Sequence, residues 1–158
     1  MSIRLAALAA ATFTSGLMAG LFFAYACSVM PGLAATDART LVGTMQSINR
    51  KILNGWFLVA FLGAPALTAL AVALHLGDGP VLAWSIVALV AHLVMFGVTV
   101  RGNVPLNNQL DAAGPVDGIG DLAAVRDRFE RPWVRWNLVR TVASVVAFAA
   151  LIGALLAA

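Results

Sequence analysis

Three groups of polar side chains interrupt an otherwise apolar chain: Asn49, Arg50 and Asn54; Asn103, Asn107 and Asn108; and Trp133, Trp136, Asn137 and Arg140. Trp133, Asn137 and Arg140 are spaced i, i+4 and i+7, which puts them on one face of a helix. Arg140 lies about one turn inside an uncharged run, where an arginine costs ~2.5–3.5 kcal/mol at mid-span and less near the end. A planar, permanently charged guanidinium at that depth suits an anionic oxygen such as a phenolate or carboxylate. No Asp or Glu lies within the apolar runs to pair with it. Each residue also has a plainer explanation, since Asn caps helix ends, Trp belongs to the interfacial belt and Arg snorkels to headgroups.

His92 falls in the middle of the run Ala88–Leu93 and is the only ionisable group at that depth. An intramembrane histidine is either functional or a neutral imidazole bonded to a neighbouring Ser, Thr, Tyr or carbonyl. His75 ends the preceding run and is expected at the opposite interface, with His92 roughly 16 Å from the intervening turn. The two histidines therefore cannot share one metal or haem within a monomer, and no histidine-box motif is present. The single cysteine, Cys27, excludes an intrachain disulfide and a cysteine-rich metal site. No metal and no organic cofactor is expected.

The elements that hold these residues follow from composition. Of 158 residues 61% are apolar and 11% charged, with a mean hydropathy of +0.93, more apolar surface than a soluble domain of this size can hide. Uncharged runs cover about 5–30, 52–76, 81–101 (up to the arginine there) and 136–158, each near the ~20 residues that a 30 Å hydrocarbon core requires. The reading is an all-α membrane protein, a single domain over 1–158 with four transmembrane helices in a bundle. The first run resembles a signal peptide but is too long for one, so it counts as a retained span. Gly77-Asp78-Gly79-Pro80 makes the second and third spans an antiparallel hairpin.

Leu41, Met45, Ile48 and Ile52 recur at helical spacing, predicting a short amphipathic helix that runs into the second span. Pro31-Gly32 is expected to end the first span. The stretch 103–120 is expected to be largely irregular, with Pro105 preventing plain helical continuation. Leu122, Val125, Phe129 and Trp133 predict a second amphipathic helix lying flat at the interface, carrying an Asp127–Arg131 pair. Thr12, Gly16, Gly20, Ala24 and Ser28 form a small-residue stripe suited to close helix packing. The first and third connections hold most of the arginines and the Gly77–Pro80 turn none. Both connections are thus expected in the cytoplasm and both termini outside, with Arg4 the only counterweight. The pI near 10.0 reflects these basic flanks, and no nucleic acid partner is implied.

The segments Phe22-Phe23-Ala24-Tyr25, Met30-Pro31-Gly32-Leu33, Met45-Gln46-Ser47-Ile48-Asn49, Gly102 to Leu110 and Trp133 to Thr141 resemble the anthrone-oxygenase-like family of small four-helix membrane proteins. The Asn-Val-Pro-Leu-Asn and Trp-Asn-x-x-Arg elements are the most specific parts. Many members were long carried as a domain of unknown function. Characterised fungal members oxidise anthrones to anthraquinones without a conventional organic cofactor. The resemblance implies a site that binds a flat apolar ring system and stabilises an enolate oxygen. Arg140 and Asn137, with Asn103 and Asn107, would stabilise the oxyanion, and Trp133 and Trp136 would flank the rings. His92 or Tyr25 would move the proton, and Asn49 and Asn108 would complete the substrate-binding set. The competing class is a non-catalytic membrane protein that binds or passes a small lipophilic molecule, or an assembly subunit. The expected partners are membrane lipid, a small aromatic or lipophilic ligand, and other copies in a homo-oligomer. The expected location is a bacterial inner membrane.

Overall fold

The computed structural model describes residues 2–158, which form five helices: α1 (Ile3–Ala34), α2 (Ala38–Ile52), α3 (Gly55–Leu74), α4 (Gly79–Ala112) and α5 (Leu122–Ala157). All but α2 are long and apolar enough to cross a bilayer. The lipid-facing exterior is apolar, with Trp56, Val59 and Leu93 at 90%, 70% and 60% exposure, which water would not tolerate across a whole bundle surface. The chain is an all-α integral membrane bundle. The spans form a ring in which α1 packs on α3 and α5, and α4 packs on α3 and α5.

The ends are set by local chemistry. The Asp37, Asn54 and Asp121 carboxylate or amide oxygens accept from the Thr40, Phe57 and Ala124 amides, which satisfies orphan donors at the starts of α2, α3 and α5. Gly77 takes φ 91° in the α3–α4 turn, a left-handed conformation that glycine adopts without strain. Arg4 Nε donates to the Leu74 carbonyl at 2.7 Å, so the one arginine at this end caps α3. His75 closes α3 at this end and is buried, its Nδ1 hydrogen donating to the Ala71 carbonyl at 2.8 Å.

At the other end the structure departs from the sequence reading. The first span runs through Pro31-Gly32 to Ala34, and the third runs through Pro105 to Ala112. The reason is the same in both. A π turn, Tyr25–Val29 in α1 and Thr99–Asn103 in α4, precedes the proline by one residue, with i to i+5 bonds from Met30 N to Tyr25 O and from Val104 N to Thr99 O. The widened turn absorbs the missing proline donor and the ring's bulk, so the helix continues. The second amphipathic segment is likewise no separate helix but the first turns of the 36-residue α5, about 54 Å long, which projects beyond the bilayer core. Its ion pair is Arg126–Glu130, not Asp127–Arg131, because Arg126 also donates to the Thr36 and Ala34 carbonyls that end α1. Asp127 and Arg131 face outward.

The amphipathic α2 forms as expected, although Leu53-Asn54 breaks it from α3. It buries Leu41, Val42 and Met45 against Leu110, Phe129 and Trp133. Gln46 Nε2 donates to the Leu110 and Gly114 carbonyls, both at 2.9 Å, and Arg39 pairs with Asp117. The first and third connections are thus packed together at one end of the bundle. The small-residue stripe divides: a Cβ on Gly16 would sit 3.1 Å from Phe148, whereas Gly20 has nothing within 4 Å and faces outward.

Candidate functional site

Where α2 meets the bundle, α1, α3, α4 and α5 enclose a cavity of about 140 Å³, measured for the centre of a water-sized sphere. One such sphere needs ~10–15 Å³, so the space takes a multi-atom ligand. Its wall is mostly apolar, with Phe22, Met45, Ile48, Phe57 and Phe61 prominent. Arg140 contributes the one charged side chain, and Tyr25, Asn49, Thr99, Asn103 and Asn107 contribute polar atoms. Leu53, Leu58 and Val104, all exposed on the outside, also reach this wall.

Arg140 is 8% exposed and has no carboxylate partner among the described residues. Its guanidinium carbon stands 4.1 Å from the ring centroid of Phe22 and 5.1 Å from that of Trp133. Two aromatic faces thus replace part of the lost hydration through their quadrupoles. Its Nε donates to Asn137 Oδ1 at 3.0 Å, and Asn137 Nδ2 donates to the Phe22 carbonyl at 3.3 Å. Asn137 fixes the direction of the guanidinium and ties α5 to α1. The terminal nitrogens have no acceptor among the described residues, and they are the donors available to whatever enters the cavity.

Around this cation runs a collar of amides. Trp133 Nε1 donates to Asn107 Oδ1 at 2.8 Å, and Asn103 Nδ2 donates to the Trp133 carbonyl at 3.2 Å. Tyr25 stacks obliquely on Trp133 with centroids 5.6 Å apart. Asn49 Nδ2 and Asn103 Oδ1 are buried without a hydrogen-bond partner among the described residues. The structure therefore brings together Tyr25, Asn49, Asn103, Asn107, Trp133 and Arg140, with Asn137 behind them. Asn108 is exposed and outside the cavity. Trp136 is 42% exposed and lies over Gly102, where a Cβ would sit 2.6 Å from the indole.

His92 is elsewhere. It is fully buried between Ser15 and Thr68, whose hydroxyls lie 3.1 Å from Nε2 and 3.2 Å from Nδ1. The Thr68 proton goes to the Ala64 carbonyl at 2.7 Å, so Thr68 accepts from Nδ1 and Ser15 donates to Nε2. Both ring nitrogens of a neutral imidazole are thereby satisfied, and the side chain joins α1, α3 and α4. No three of His, Cys, Asp and Glu gather in a metal-binding arrangement among the described residues. Sequence reasoning missed Phe22, Phe57, Phe61 and Thr99, whose only signal is aromatic or hydroxyl character at helical spacing.

The fold and site define a small integral membrane protein that holds an unpaired, aromatic-flanked arginine over an apolar cavity. The family model for anthrone oxygenase matches residues 56–150, more than half of the chain, and the protein belongs to that family. The matched stretch contains Asn103, Asn107, Trp133, Asn137 and Arg140. No curated protein and no solved structure matches.

Proposed function

We propose that the protein oxidises an anthrone-like or other enolisable aromatic with dioxygen, without a metal, in the cavity beneath Arg140. The observation that carries this reading is a buried guanidinium with no carboxylate partner facing an aromatic-lined space of ligand size. An anthrone loses a proton from the carbon opposite its carbonyl, and the charge moves to oxygen. Arg140 would bind that oxyanion, worth far more in a water-poor cavity than in solution. Asn137 would hold Arg140 in line, Trp133 and Phe22 would flank the rings, and the Tyr25 hydroxyl would pass the proton. The electron-rich carbon then reduces dioxygen and forms a C–O bond, giving a hydroperoxide once protonated. Loss of the second C–H proton with O–O cleavage leaves a ketone and one water, so CH₂ plus O₂ becomes C=O plus H₂O.

Purified protein in detergent should raise quinone absorbance from anthrone in air above the uncatalysed rate, and not under nitrogen. Equal rates with and without protein, together with a ligand-induced rise in melting temperature, would favour a carrier of lipophilic molecules instead.

A further inference from the structure

Three buried side-chain polar atoms lack a hydrogen-bond partner among the described residues, and two of them, Asn49 Nδ2 and Asn103 Oδ1, belong to residues of the cavity wall. Such atoms carry a desolvation cost that a native structure normally avoids. Asn103 is the sharper case. It is 0% exposed, and its Nδ2 is committed to the Trp133 carbonyl at 3.2 Å, which fixes the amide's orientation and turns Oδ1 away from that bond. An amide oxygen accepts and never donates, so only a donor can complete it. Arg140 supplies donors alone, so it cannot recognise a hydroxyl hydrogen. The cavity thus has a cationic point for an oxyanion and a separate acceptor that calls for an O–H.

We infer that Asn103 is a specificity-determining residue that accepts a hydrogen bond from a hydroxyl on the aromatic ligand, and that Asn49 donates to a second ligand oxygen. The inference rests on the cavity being the ligand site proposed above. A site built around a hydroxyl rejects the analogue that lacks it, because its own buried acceptor is then left unpaired. An ether at the same place keeps the ligand's shape and its acceptor lone pairs but has no hydrogen to give.

The test uses the protein in detergent and three probes: 3,6-dihydroxyanthrone, whose hydroxyls are too far from the ring carbonyl to bond to it, its dimethyl ether and unsubstituted anthrone. Binding is read by quenching of tryptophan fluorescence. The wild type should bind the dihydroxy compound roughly ten- to a hundredfold more tightly than either analogue. In Asn103→Ala that preference should collapse toward unity. The wild-type comparison needs no variant, so a misfolded Asn103→Ala leaves the inference exposed to refutation. Equal binding of all three probes, or an undiminished preference in a folded Asn103→Ala, would overturn the role of Asn103 while leaving the cavity as the ligand site. If no probe binds, both the inference and the function proposed above fail.

Discussion

The guanidinium carbon of Arg140 stands 4.1 Å over the ring of Phe22, a side chain of the neighbouring helix α1. An arginine at this depth is usually matched by a carboxylate, and here an aromatic face takes that place. The cation is therefore steadied without being neutralised, and its charge stays available.

Arg140→Leu should lower turnover by at least a hundredfold, the scale on which single oxyanion donors act. Insertion and melting temperature should hold, since an intramembrane charge has been removed. Arg140→Lys should recover only part of the rate, because an ammonium lacks the planar fork and would lose its bond to Asn137. Steady-state rates on folded protein, checked by gel filtration, decide this. Wild-type turnover in Arg140→Leu would take the residue out of the mechanism.

His92→Leu should destabilise the bundle by about 1 kcal/mol, the scale of polar contacts between membrane helices. It strands the Ser15 hydroxyl, which is 0% exposed, while Thr68 keeps its bond to Ala64. Thermal unfolding in detergent reads the loss. A drop in turnover per folded molecule, with an unchanged melting temperature, would contradict the tethering role.

Gly102→Ala should cost about 1–3 kcal/mol, because the new methyl meets the root of the Trp136 indole at 2.6 Å and the whole side chain must shift. Replacing Gly20 by Ala, where nothing lies within 4 Å, should be near neutral. A melting series on the two single variants tests the contrast, and equal effects would refute this account of α1 and α4.

Single cysteines at Thr36, Asp78 and Asp117 in a Cys27→Ser background test the orientation proposed from the arginine asymmetry. On intact cells an impermeant thiol reagent should label position 78 alone. Labelling at 36 and 117 instead would invert the bundle.

The four spans and α2 were legible because long apolar runs and an i, i+4 pattern leave few alternatives. The polar part of the site was legible for a related reason: in a bilayer every Asn or Arg is conspicuous. Its apolar part was not. Phe22 and Phe61 face the cavity while Phe13 and Phe23 face lipid, yet hydropathy cannot separate them, since both surroundings are oily. The continuation through Pro105 was hidden as well, because a π turn is a property of backbone hydrogen bonding with no fixed residue signature.

Each π turn holds one residue more than the α-helix it interrupts, and one residue corresponds to about 100° of rotation. Deleting Val100 would remove the insertion that accommodates Pro105 and swing everything beyond it by about that angle, carrying Asn107 off the Trp133 indole. Tyr25 and Asn103 sit at the same kind of insertion in α1 and α4. The two long helices thus behave like screws with one extra thread each. Their cavity-facing chemistry depends on an odd count that a length-preserving substitution scan would never reveal, but a single-codon deletion would.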